Sequence, residues 1–128
     1  MAFVTAIIML ALIEYLYFGS VVGRMRVLAG IRAPAVTGDP EFERVFRAHQ
    51  NTLEQLIVFV PAVAASGYFV HELFAVACGV VYLVGRAMYF RAYRKDAATR
   101  APGMLVSFSA NVVLVLAALA GALLAAFR

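Results

Sequence analysis

The sequence predicts an all-α membrane protein, a four-transmembrane-helix bundle in a single domain over residues 1–128. Three observations predict it. Hydrophobic residues make up 65% of the 128 and charged residues only 14%, far below the roughly 25% charged of an ordinary globular chain. Four apolar stretches, residues 2–23, 50–70, 73–93 and 103–127, each come near the ~20 residues with which a helix crosses about 30 Å of hydrocarbon. The polar joints between them leave no length for a separate soluble domain, and no repeat or low-complexity tract interrupts them.

The first stretch begins without a basic segment and carries no small-residue cleavage site ahead of a polar region, so it is expected to be a retained span and not a removed signal peptide. The second is announced by TGDPEFE: Asp39 can cap, Pro40 suits the first helical position, and Glu41 and Glu43 meet the positive end of the helix dipole. A helix from residue 40 to about 69 is about 45 Å long, so its first turns stand in the headgroup zone, and Pro61 is expected to bend it. The third stretch ends in RAMYFRAYRK, and Thr99 or Arg100 before Ala101, Pro102 and Gly103 marks the start of the fourth.

Basic residues are unevenly placed. Arg24, Arg26, Arg32, Arg44 and Arg47 lie in or beside the first joint and Arg91, Arg94, Lys95 and Arg100 in or beside the third, whereas the second joint holds only His71 and Glu72. The positive-inside rule therefore predicts a cytoplasmic location for the first and third joints. The net charge of +4 is read as topology signal and contact with anionic lipid, with no nucleic-acid partner. No metal site is expected, and Cys78, the single cysteine, reads as a small apolar residue.

The stretch RVFRAHQNTLEQLIVFV sets ionisable groups directly against an apolar run. Arg47, Asn51 and Glu54 are spaced i, i+4, i+7 and share one helix face, with His49 turned away. Glu54 adjoins the apolar run, where an unpaired carboxylate costs several kcal/mol unless it is paired or faces a polar cavity. Arg86, Tyr89 and Tyr93 form a matching stripe on the third helix, and Arg86 lies deep enough to require an anionic partner, either Glu54 or a ligand. Two such stripes facing one another make a cleft. Guanidiniums, an amide, a carboxylate and phenols suit a small zwitterion with more than one carboxylate and an amine, a description that glutathione fits. A structural ion pair between helices is the competing reading of the same residues.

GDPEFERVFRAHQNTLE, with RxxYFxxY and a following arginine on the third helix, resembles the signature of the MAPEG family, the membrane-associated proteins in eicosanoid and glutathione metabolism, including its glutathione transferase, leukotriene C and prostaglandin E branches. The resemblance covers nearly the whole chain. It implies a homotrimer of four-helix subunits in which Arg47, Asn51, Glu54, Arg86, Tyr89 and Tyr93 bind glutathione between neighbours and Arg26 adds a contact to a glutathione carboxylate. Arg100 matches the arginine that activates the thiol in the leukotriene C branch. The prostaglandin branch carries its essential arginine about one turn after the Arg-Ala-Pro segment, where this chain has Met104, which leaves Arg100, ahead of Arg94, as the activator.

The expected function is thus a glutathione transferase or peroxidase that joins the glutathione thiolate to a lipophilic electrophile, in a bacterial inner membrane with the site on the cytoplasmic side. The electrophile is expected in a groove between the first helix and a neighbour's fourth, where Ser107, Ser109 and Asn111 interrupt the apolar wall. Two alternatives stand beside it: a noncatalytic lipid-binding member of the family, and a small multidrug transporter using Glu14 in ALIEYLYF.

Overall fold

The computed structural model describes residues 1–127. Helix α1 spans Ala2–Leu28, α2 Pro40–Phe69, α3 Glu72–Lys95 and α4 Ala101–Ala126, with one short 3-10 turn at Ala97–Thr99 before α4. There is no strand among the described residues. All four helices are long and apolar enough to cross a membrane, giving the multi-pass, all-α architecture expected from composition.

Local signals act where the sequence puts them. Asp39 Oδ1 accepts the N–H of Phe42 at 2.8 Å, satisfying a donor that the first turn of α2 would otherwise leave unpaired. Pro40 opens the helix, and the chain stays helical through Pro61 to Phe69. At the narrow second joint His71 Nδ1 accepts the N–H of Leu73 at 3.2 Å. Glu72 there accepts the N–H of Phe3 at 2.9 Å, tying α3 to the start of α1. Pro102 lies in the first turn of α4, where a missing N–H costs nothing.

Helices α2 and α3 form the centre of the bundle, each packed against all the other spans, while α1 and α4 occupy opposite flanks. One core layer joins Val4, Ile7, Leu56, Phe59, Val63, Tyr82 and Leu114, with the Phe59 and Tyr82 rings stacked at 3.9 Å. A second layer, at the end bearing the basic joints, joins Phe18, Val22, Phe42, Val45, Tyr89 and Phe90. Outward-facing Ile13, Leu16, Ile57, Leu105 and Leu116 stay exposed, as suits helices whose solvent is lipid.

Glycine sets the closest helix approach. A Cβ on Gly103 of α4 would sit 2.3 Å from the backbone nitrogen of Tyr89, and one on Gly85 of α3 would sit 2.5 Å from that of Ser107. These two missing side chains let α3 and α4 meet backbone to backbone, beside the residues of the polar stripes.

Candidate active site

The α2 and α3 stripes converge with the start of α4. Asn51, Glu54, Gln55, Arg86, Tyr89, Arg100 and Met104 line a cleft of about 260 Å³, which brings together five of the eight residues expected from the sequence. Arg47 and Tyr93 lie a turn farther out, in an adjoining cavity of about 550 Å³. Tyr93 links the two spaces, its ring 5.4 Å from that of Tyr89 and beneath the Arg100 guanidinium at 5.5 Å.

Each side chain is positioned by its helix. Asn51 Nδ2 donates to the Tyr89 hydroxyl oxygen at 2.6 Å, locking α2 to α3 and leaving the phenolic proton free to be donated elsewhere. Arg100 precedes α4, its Nη1 donating to the Ala97 carbonyl at 2.6 Å. That places a fixed cation at the positive end of the α4 dipole, so both favour an anion at this mouth of the cleft. Arg47 is exposed, and among the described residues its side chain hydrogen-bonds to Gln50 alone, at 3.5 Å, so its guanidinium is available to a ligand. Glu54 is exposed toward the cleft, with no cation within ion-pair distance among the described residues.

Two expectations, for the partner of Arg86 and for Arg94, require correction. Among the described residues Arg86 forms an ion pair with neither Glu54 nor any other carboxylate. It is 1% exposed, and Nη2 donates to Thr52 Oγ1 at 2.8 Å, Nη1 to Ser107 Oγ at 3.4 Å, while the guanidinium lies 4.1 Å from the centre of the Tyr89 ring. These contacts brace α2, α3 and α4 and back Tyr89, while the buried Nε has no partner among the described residues. Arg94 cannot back up Arg100: it pairs with Glu41 at 3.0 Å and lines a groove on another face of α3. Arg26, expected to contact glutathione between neighbours, lies outside the cleft of its own subunit, where it donates to the Ala35 carbonyl at 2.6 Å with its guanidinium over the Phe42 ring. His49, turned away from the stripe, supports the fold by stacking on Tyr15 at 4.2 Å.

Four polar residues that position the site escaped the spacing argument. Thr52 and Ser107 hold Arg86. Asn111 Nδ2 donates to Gln55 Oε1 at 2.9 Å, bridging α4 to α2. Gln55 then borders both the polar cleft and an apolar groove of about 190 Å³, lined also by Val58, Phe108, Asn111, Val112 and Val115. A charged space at the basic end therefore runs into an apolar one along the α2–α4 face. The first can hold a water-borne anion, and the second a lipophile.

Comparison with known proteins identifies the family. A model of the MAPEG family matches residues 3–120. The chain is 39% identical over 118 residues to microsomal glutathione S-transferase 2 of Homo sapiens, covering 92% of this chain and 78% of that protein. It is 37% identical over 116 residues to the Mus musculus protein of the same name, covering 91% and 79%. Against leukotriene C4 synthase of Bos taurus it is 35% identical over 122 residues, covering 95% and 81%.

Proposed function

The chain belongs to the MAPEG family, and from that membership and the cleft at the α4 start we propose that it is a membrane-bound glutathione transferase, adding the glutathione thiolate to a lipophilic electrophile. The observation that carries the proposal is the placement of Arg100 beside Asn51, Glu54 and Tyr89 in one cleft that adjoins an apolar groove.

The chemistry follows from charge. Glutathione carries two carboxylates and an ammonium, so Arg47 suits a carboxylate, Glu54 the ammonium, and Asn51 with Tyr89 the peptide between them. A free thiol ionises near pH 8.5, and a fixed guanidinium at a helix N-terminus favours the thiolate. Arg100 and the α4 start supply that combination. The thiol proton leaves to solvent, the sulfur lone pair forms the C–S bond, and the electron pair displaced on the electrophile takes a proton or departs with a leaving group. Apolar residues from Val58 to Val115 hold the electrophile against the sulfur, so proximity supplies much of the rate.

The assembly belongs to the same proposal. Glu54 and Ile57 are exposed on α2, and Arg26 lies off the cleft, so we place the complete site between neighbours in a homotrimer, with Arg26 reaching a carboxylate from the adjacent subunit. By the positive-inside rule the basic joints support a cytoplasmic-facing site, and a bacterial inner membrane is the setting proposed for it. Steady-state conjugation of a lipophilic electrophile by detergent-purified protein tests the reading. Arg47→Ala should raise the KM for glutathione and Arg100→Ala should lower kcat. Full activity in both variants would refute it.

A further inference from the structure

On the α1–α3 side, α3 turns a different face outward. A groove of about 500 Å³ lies there, lined by Glu14, Tyr17, Phe18, Ala87, Phe90, Arg91 and Arg94, none of which borders the catalytic cleft. Phe18 and Phe90 stack at 3.9 Å to make its apolar floor. Arg91 and Arg94 stand at its mouth and are shared with a second hollow of about 500 Å³ that Arg44, Lys95 and Glu41 complete. Four cations thus surround one acid, and that acid is already held by Arg94 at 3.0 Å.

Arg91 has the decisive environment. It is exposed, with no hydrogen-bond or ion-pair partner among the described residues, so its five N–H donors are uncommitted. Along α3 it lies about 28 Å from Glu72, so a span that meets one hydrocarbon boundary at Glu72 brings Arg91 to the other, at phosphate depth. Glu14 lies one turn deeper than Phe18 on α1 and lines the inner part of the groove. Cations above an apolar trough, at that depth, match an amphiphile with an anionic head.

We infer that the α1–α3 groove binds an anionic phospholipid, the phosphodiester held by Arg91 and Arg94 and an acyl chain lying along Tyr17, Phe18 and Phe90. The head-group contact is charge-assisted and bidentate in form, which distinguishes it from general attraction to a negative surface.

Native mass spectrometry of the purified protein with added phosphatidylglycerol or phosphatidylcholine tests this. Wild type should retain phosphatidylglycerol in preference. Arg91→Gln should weaken that retention about tenfold, the loss of one charge-assisted hydrogen-bonded contact. Arg24→Gln removes the same charge from an exposed α1 position that lines neither hollow, and should leave retention unchanged. Arg91→Lys, which keeps the charge, should recover at least part of it and guards against a folding defect. Equal retention of the two lipids, an unaffected Arg91→Gln variant, or equal loss in Arg24→Gln would overturn the inference. Displacement of phosphatidylglycerol by millimolar inorganic phosphate would make this a soluble-phosphate site and overturn the lipid assignment.

Discussion

Arg86 of α3 donates through Nη2 to Thr52 Oγ1 of α2 at 2.8 Å, and this bond, not an ion pair, is the shortest contact that anchors its buried guanidinium. Ser107 of α4 takes the second Nη at 3.4 Å, so three helices share one cation. Thr52→Val keeps the shape of the side chain and removes the acceptor. Leaving a charged donor unpaired in an apolar interior costs roughly 1–3 kcal/mol or more, and the variant should unfold at a lower temperature in detergent. Ser107→Ala should cost less, because its bond is longer. Equal stability of wild type and Thr52→Val would show that the hydroxyl is dispensable.

Gly103→Ala should destabilise more than an ordinary helix substitution. Its Cβ would fall 2.3 Å from the Tyr89 nitrogen, so α3 and α4 must separate, and overpacking of this kind typically costs about 1–3 kcal/mol. Gly23→Ala is the control: nothing lies within 4 Å of its Cβ, and replacing a helical glycine by alanine should stabilise by up to ~1 kcal/mol. Opposite signs for the two variants in thermal unfolding are expected. Because Tyr89 moves with Gly103, that variant should also bind glutathione more weakly.

Asn51→Ala frees the Tyr89 hydroxyl from its 2.6 Å bond. One lost hydrogen bond is worth about 1 kcal/mol, so glutathione should bind roughly fivefold more weakly by titration calorimetry. Glu54→Ala removes a charged partner and should cost more, about tenfold or greater. Unchanged affinity in Glu54→Ala would remove the ammonium contact from the account.

Helix positions and both polar stripes were legible because they rest on local rules. Asp39 and Pro40 start α2 for reasons contained in four residues, and Arg47, Asn51 and Glu54 share a face by helical period alone. Partners across helices were not legible in the same way. Thr52 follows Asn51 by about 100° of helix rotation and so fell off the stripe, yet it is the residue that meets Arg86. Gly85 and Gly103 did carry a visible signal, small residues inside apolar spans, which marks where helices approach and hence which hydroxyls come within reach of a buried cation. The position of Arg94 depended on which face of α3 meets α1, a tertiary fact that spacing within α3 does not contain.

Conjugation should lose its pH dependence at the low end when Arg100 is present and regain it when Arg100 is removed. A thiol with a pKa near 8.5 is only about 3% ionised at pH 7, so Arg100→Ala should cost at most about 30-fold in kcat at pH 7. A depressed thiol pKa gives thiolate above that lowered value, so the deficit should shrink as pH rises through 8.5 and vanish well above it. A deficit that stays constant across pH would indicate that Arg100 acts on something other than thiol ionisation.

The most direct measurement is a pH titration of the ultraviolet thiolate band of glutathione bound to the purified protein, wild type against Arg100→Ala. The account predicts that the band persists well below pH 8.5 in wild type and moves back toward that value in the variant, with the tripeptide still bound. Bound glutathione that ionises at the same pH in both proteins, or in wild type no more readily than in water, would contradict it.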